Sequence, residues 1–457
     1  MKYLPYLFFS IILAGCGSQI APEVSRNSNE LISTVGMQTF PNVAARQGIN
    51  RSNIDIAQEF IDLSFALESG QVLPYLTRFE GPVSIAITSS APPNVIAELD
   101  RLIMRLRSQA GIDIKRVTGT DANIYVETLP KKKLQSVIPT AACFVVPNVS
   151  GWDDYRRKRF KNTVDWTQLK IRRKITVFMP SDISPQETRD CLHEEIAQAL
   201  GPVNDLYRLP DSVYNDDNFN ISLTPYDVLI LKAYYSPQIR NGMSKMQVAA
   251  VLPQLLARLN PVGQTLPSAH LQPTSKDWVR AIETALGPNA SSAKRRSAAF
   301  RTVKISQNKG YNDHRLGFAY FARAQISLRD DPRLAASDFG RAYAIFRTLF
   351  GPSDIHTAQA AVQMASLAIS AGRYDDALGY INDSIPAARE SQNGSLLFSL
   401  LAMKSEVYEG LGRYADAKTL KQEAISWAHY GLASRSEVSR RLEQVAALRP
   451  RVSTKGF

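Results

Sequence analysis

The last third of this chain repeats itself, and a repeat constrains a fold more tightly than any composition does. "GRYDDALGYINDSI" begins at Gly372 and "GRYADAKTLKQEAI" at Gly412. A weaker copy, "DDPRLAASDFGRAYAIF" from Asp330, falls about one period earlier. Ala335, Ala377 and Ala417 hold equivalent places in the second helix of each unit, where two helices touch closely. Phe339 and Ala342 follow at helical spacing, and Tyr408 precedes Ala417. Such a unit cannot bury its own apolar face and must stack on a neighbour. Helices near 277–286 and 291–305 are expected to cap the array. The first helices of the repeats, near 317–327, 358–370 and 398–410, are expected to line its groove.

These units resemble tetratricopeptide repeats of the longer, roughly forty-residue type, with a plain helical bundle as the competing architecture. The resemblance implies a concave surface that takes a peptide from another protein. Arg323, Gln359, Gln363 and Lys404 are the candidate partner-binding residues in that groove.

The beginning of the chain supplies the address. After Lys2 comes the apolar run "YLPYLFFSIILAG", too short to span a bilayer comfortably. It ends in Leu13-Ala14-Gly15-Cys16, which resembles the lipobox of bacterial lipoproteins. The resemblance implies a signal peptide over 1–15, cleavage before Cys16 and acylation of that cysteine. It places the protein in the bacterial envelope, with Gly17 pointing to the outer membrane, facing the periplasm; an ordinary secretory signal is the competing reading. Residues 16–50, rich in Ser, Asn, Gln and Pro, read as a flexible tether. The chain has 3 cysteines. With Cys16 lipidated in an oxidising compartment, Cys143 and Cys191 are left to form one disulfide.

The net charge of +12 is concentrated in "RRKRFKNTVDWTQLKIRRK", residues 156–174, with Phe160 and Trp166 interleaved. Nucleic acid is an unsuitable partner for an envelope protein. Anionic lipid or a cell-wall polymer is the better match, and a solvated basic loop competes with both.

Between tether and repeats, helical spacing over 54–67 opens an ordered α/β domain spanning 51–260. A strand within "GPVSIAITSS" leads to an amphipathic helix closed by Gly111. Strands follow over 122–129, 141–149 and 174–181, then a helix over 185–200 ended by Gly201-Pro202. Thr224-Pro225 starts another helix, and "MSKMQVAAVLPQLLARLNP" is helical despite Pro253. Residues 261–276, proline-rich and aperiodic, read as the linker to repeats over 277–450.

Within that domain, "CLHEEIAQALGPVND" (191–205) looks at first like H-E-x-x-H, a zinc site, but Ala197 stands where the second histidine belongs. Read from Glu194, it resembles the metzincin signature H-E-x-x-H-x-x-G-x-x-H-D with oxygen-bearing side chains in place of each histidine. The resemblance covers roughly 75–240 and implies a metzincin-like α/β fold with Glu194, Gln198 and Asn204 at the metal positions. Glu195 would be the general base, and Val213 stands where a methionine turn would lie. The segment also resembles a bacterial envelope family of unassigned function, some of whose members carry such repeats. Helical geometry would present 194, 195 and 198 to a cleft, with Gly201 turning the chain sharply. One carboxylate and two amides are poor zinc ligands, and amide oxygens suit calcium better. No cofactor is therefore expected and the domain is expected to be non-catalytic. The alternative is an atypical metallopeptidase or amidase working through Glu195. His193 points away from that face and reads as a structural histidine.

Overall fold

The computed structural model describes residues 35–40, 48–119, 121–139 and 141–450. The lipobox-like run and Cys16 lie outside the described residues, as does much of the expected tether. The chain divides into two compact units whose main boundary falls between Thr274 and Ser275.

The first unit is a mixed α/β domain on a five-stranded sheet in the order β2-β1-β3-β5-β4. Strands β1 (Val83–Ile87), β2 (Ile114–Arg116), β3 (Ile124–Leu129) and β5 (Ile175–Pro180) run parallel, and β4 (Phe144–Pro147) pairs antiparallel with β5. Every residue of β5 is buried. An interior strand of a sheet covered on both faces reads as a nearly continuous apolar run, and "ITVFMP" does so. One face is covered by α1 (Asn53–Ser64), α2 (Pro93–Arg105), α5 (Pro185–Leu200), α6 (Pro225–Tyr234) and α7 (Lys245–Leu259), whose apolar sides share one core with the strands. The opposite face holds a smaller core of Leu134, Phe144, Trp152, Tyr155 and Phe178. It is closed by the short helices α3 (Lys131–Gln135) and α4 (Trp152–Lys158). The basic segment expected as a loop therefore begins inside α4. Helix α7 continues through Pro253, which sits on its exposed side. Cys143 and Cys191 form a disulfide, Cα–Cα 5.9 Å, tying the start of β4 to α5.

The second unit is all helix: α8 (Lys276–Leu286), α9 (Ser292–Asn308), α10 (His314–Ser327), α11 (Pro332–Phe350), α12 (Ile355–Ser370), α13 (Tyr374–Glu390), α14 (Gly394–Gly410), α15 (Tyr414–Gly431) and α16 (Arg435–Ala446). Successive helices pack in pairs, α8 with α9 and so on to α14 with α15. Ala335, Ala377 and Ala417 are fully buried, where the helices touch. The two "GRY" turns are the same turn: Gly372 and Gly412 have φ 70° and 75°. The next amide, of Arg373 or Arg413, donates back to Ala368 O or Tyr408 O at 2.9 and 2.8 Å. Only glycine adopts that left-handed turn without strain. Phe40, in the span read as a tether, is buried in this unit, its ring 4.4 Å from that of Trp427. No helix among the described residues is long and apolar enough to cross a membrane.

Candidate functional site

Helix α5 carries the motif. Leu192, Ile196 and Leu200 are wholly buried on its sheet-facing side, each contributing roughly 1.5–3 kcal/mol of apolar burial. The polar side does not open onto a cleft as expected: Glu194, Glu195 and Gln198 are only 6%, 2% and 5% exposed. Gly201 also differs from expectation. Its backbone is not left-handed; a Cβ there would meet Leu231 Cδ2 at 3.1 Å. The glycine lets α6 approach closely.

The amide side chains at the metal positions are engaged as donors. Gln198 Nε2 donates to Asp205 Oδ2 at 3.1 Å, and Asn204 Nδ2 donates to the carbonyl of Asp62 at 2.8 Å. Arg208 Nη2 reaches Asp62 Oδ2 at 2.6 Å. The chain returning after Gly201 is thus fastened to α1. A metal would have to be held by one carboxylate and two neutral amide oxygens, a set that does not fit zinc. Among the described residues, no group of three or more His, Cys, Asp or Glu could hold a metal ion.

Several residues that shape this region carry no motif. Arg172, counted in the basic segment, is buried, and its Nη1 donates to the carbonyls of Gln198, Ala199 and Gly201 at 2.9, 2.8 and 2.9 Å. It closes the C-terminus of α5, where helical carbonyls lack partners. Burial pulls its pKa down. On the other side, Glu98 of α2 receives the fork of Arg189 at 2.8 and 3.2 Å. It also pairs with Arg101 and lies 3.5 Å from His193 Nε2. Burial pushes the Glu98 carboxyl up, but its hydrogen bond to His193 and the Arg189 charge outweigh this and hold it well below the usual range. His193 Nδ1 accepts the Leu223 amide at 3.0 Å. Burial lowers its pKa to about 4, so a neutral imidazole turns its Nε2–H toward Glu98. One sequence signal pointed here: Glu98 falls among Val95, Leu99 and Leu102, on the buried stripe of an amphipathic helix.

The irregular stretch 201–224 is almost entirely buried, so its backbone must find partners inside the protein. Its Asn, Asp and Ser residues supply them. Asn215 Nδ2 donates to Leu209 O at 2.7 Å, and Asn220 Nδ2 to Pro210 O at 2.6 Å. Asp217 Oδ1 accepts from Phe219 N at 3.1 Å. Asp227, on the first turn of α6, accepts from Ser212 Oγ, Val213 N and Thr224 N at 2.6, 3.1 and 2.7 Å. Burial raises its pKa to about 6 despite those bonds.

The four candidate partner-binding residues fare unevenly. Arg323 is locked by Nε and Nη2 onto Asp338 at 2.6 and 2.8 Å, and Asp338 is fully buried. Gln359 and Gln363 are buried in α12 instead of lining an open surface. Lys404 is half-buried and reaches Asn382 Oδ1 at 2.8 Å.

With this geometry in hand, comparison with known proteins adds a family. Residues 53–254 match the family described as "Protein of unknown function (DUF2927)". The DUF2927 match covers the sheet, the motif helix α5 and the buried 201–224 stretch, and the helical second unit follows it. No curated protein matches the chain. Among solved structures, the crystal structure of BtubC (BKLC) from P. vanneervenii is similar over 51% of this chain and 78% of that chain, at 15% identity and a TM-score of 0.26. A score that low says nothing of the fold.

Proposed function

We propose that this is a lipid-anchored envelope protein whose α/β domain is a degenerate, non-catalytic metzincin-like module and whose helical unit is a tetratricopeptide-type array that binds an envelope protein. The observation that carries the reading is the engagement of Gln198 and Asn204 through their amide nitrogens. Side chains at two of the three metal positions are holding the loop to the domain. The strand and helix succession and the buried loop through Val213 are the other parts the reading calls for. Cys16 is the proposed anchor, and the paired helices with their repeated "GRY" turns are the proposed binding scaffold. Lys404 is the one candidate contact that is neither locked in an ion pair nor deeply buried.

The test is zinc analysis and a peptidase assay on the purified chain. Well under one zinc per chain is expected, with no cleavage and no change in melting temperature on chelation. Stoichiometric zinc lost in Glu194→Ala, with cleavage lost in Glu195→Gln, would overturn the reading in favour of an atypical metallopeptidase with Glu195 as its general base.

A further inference from the structure

At the end of β4 the chain gathers a basic surface with apolar tips. Helix α4 finishes in Arg156, Arg157 and Lys158, and Phe160 two residues beyond it is 88% exposed. The Arg159 guanidinium lies 4.6 Å from the centre of that ring, and Lys161 follows. Further along the chain, Ile171 is 45% exposed between Lys170 and Arg173. Asn148, directly after β4, draws these two halves together. Its N–H donates to Lys174 O at 2.9 Å and its side-chain amide to Thr163 O at 2.9 Å. Its carbonyl accepts from Lys158 Nζ at 3.4 Å.

The local acids leave most of the charge in place. Asp154 is taken up by Arg157 and Lys158 at 3.3 and 2.8 Å. Asp165 is turned onto the Thr167 amide at 2.8 Å, and Asp153 alone remains open. A phenylalanine and an isoleucine held in water among cations match the headgroup boundary of an anionic bilayer. The apolar side chains enter the acyl edge while guanidinium and ammonium groups meet lipid phosphate. A nucleic acid strand would use the cations and stack on Phe160, but it has no use for Ile171.

We propose that this face, centred on Phe160 and Ile171 within the 156–174 basic segment, docks the first unit on an anionic lipid surface. The inference does not depend on acylation of Cys16, because it concerns a surface of the folded domain.

The experiment is co-sedimentation of residues 17–457, carrying no acyl chain, with vesicles of phosphatidylcholine alone or of phosphatidylcholine mixed with phosphatidylglycerol. Binding to the anionic vesicles only is expected, weakening with salt. Arg156→Ala and Lys161→Ala should each weaken it about fivefold, the equivalent of about 1 kcal/mol per cation. Phe160→Ser should cost about tenfold, Phe160→Trp should restore binding, and Ile171→Ser should reduce it. All four positions are exposed, so melting temperatures should not change. No binding to anionic vesicles, equal binding to neutral ones, or indifference to Phe160→Ser and Ile171→Ser would each overturn the proposal. Binding to a single-stranded oligonucleotide without binding to vesicles would assign the surface to a polyanion and overturn it as well.

Discussion

His193 is a buried imidazole with its pKa lowered to about 4 by burial, and this makes it a source of acid sensitivity. Above about pH 6.5 it is neutral folded or unfolded, and its share of stability is complete. As pH falls from there toward 4, the unfolded chain takes up a proton that the native chain refuses. The contribution lost is about 3 kcal/mol. Asp227 acts in the opposite sense, because its carboxyl is raised to about 6 by burial. Its native form holds a proton that the unfolded chain has released, so it stabilises on acidification over a similar window. The two partly cancel in the native protein. His193→Gln, which keeps an acceptor for Leu223 N–H and a donor toward Glu98, should therefore be less acid-sensitive than the parent. Urea unfolding at about pH 7 and about pH 4.5 checks this; an unchanged difference between the two pH values would contradict it. A second residue-scale expectation separates two basic candidates in the helical unit, Arg323 and Lys404. Arg323→Glu sets a new carboxylate against the fully buried Asp338 and should cost about 3–5 kcal/mol, as loss of a buried partner does. Lys404→Glu should change the melting temperature little. Equal losses in a thermal melt would contradict the Arg323–Asp338 assignment.

At the scale of elements, α5 was the most legible piece of the chain. Proline at the first turn, apolar residues at helical spacing and a terminal Gly-Pro put its limits at 185 and 200, where they lie. Strand β5 was equally clear, because a strand buried on both faces reads as a nearly continuous apolar run. What escaped was short and polar. Strand β2 has three residues, two of them charged and exposed at the sheet edge, and α4 looked like loop because its exposed side is Asp and Arg. The site was legible as a set of positions but not as a set of contacts. Helical geometry places 194 and 198 on one face, yet nothing in the sequence says that Asn204 bonds to Asp62 or that Arg172 closes the helix end. Those contacts join residues distant in sequence and depend on packing. The disulfide is the link between elements with the clearest expected cost. It closes a separation of 48 residues between β4 and α5, and its loss in Cys143→Ser should lower stability by on the order of 4 kcal/mol in the chain-entropy account. Non-reduced protein should show neither Cys143 nor Cys191 to a thiol reagent when unfolded in urea; labelling of both would contradict the bridge.

Across the whole molecule, the two units were legible for different reasons. The helical unit announced itself through recurrence, since the same turn needs the same glycine and the same contact needs the same alanine. The α/β unit had to be read from alternating strands and helices, and its largest irregular stretch was the least readable part. In 201–224, the polar composition that suggests an exposed loop instead serves the loop's own buried backbone. This reverses the usual relation between regular structure and solvent access. The amides of Val213 and Leu223 are held by Asp227 and His193, side chains that reach their positions only when the stretch is docked against α6 and α5. Their hydrogens can leave for water only when that docking fails. In deuterated solvent, this stretch without helix or strand should keep its protons as long as the central strands do, and outlast the outer turns of the helices.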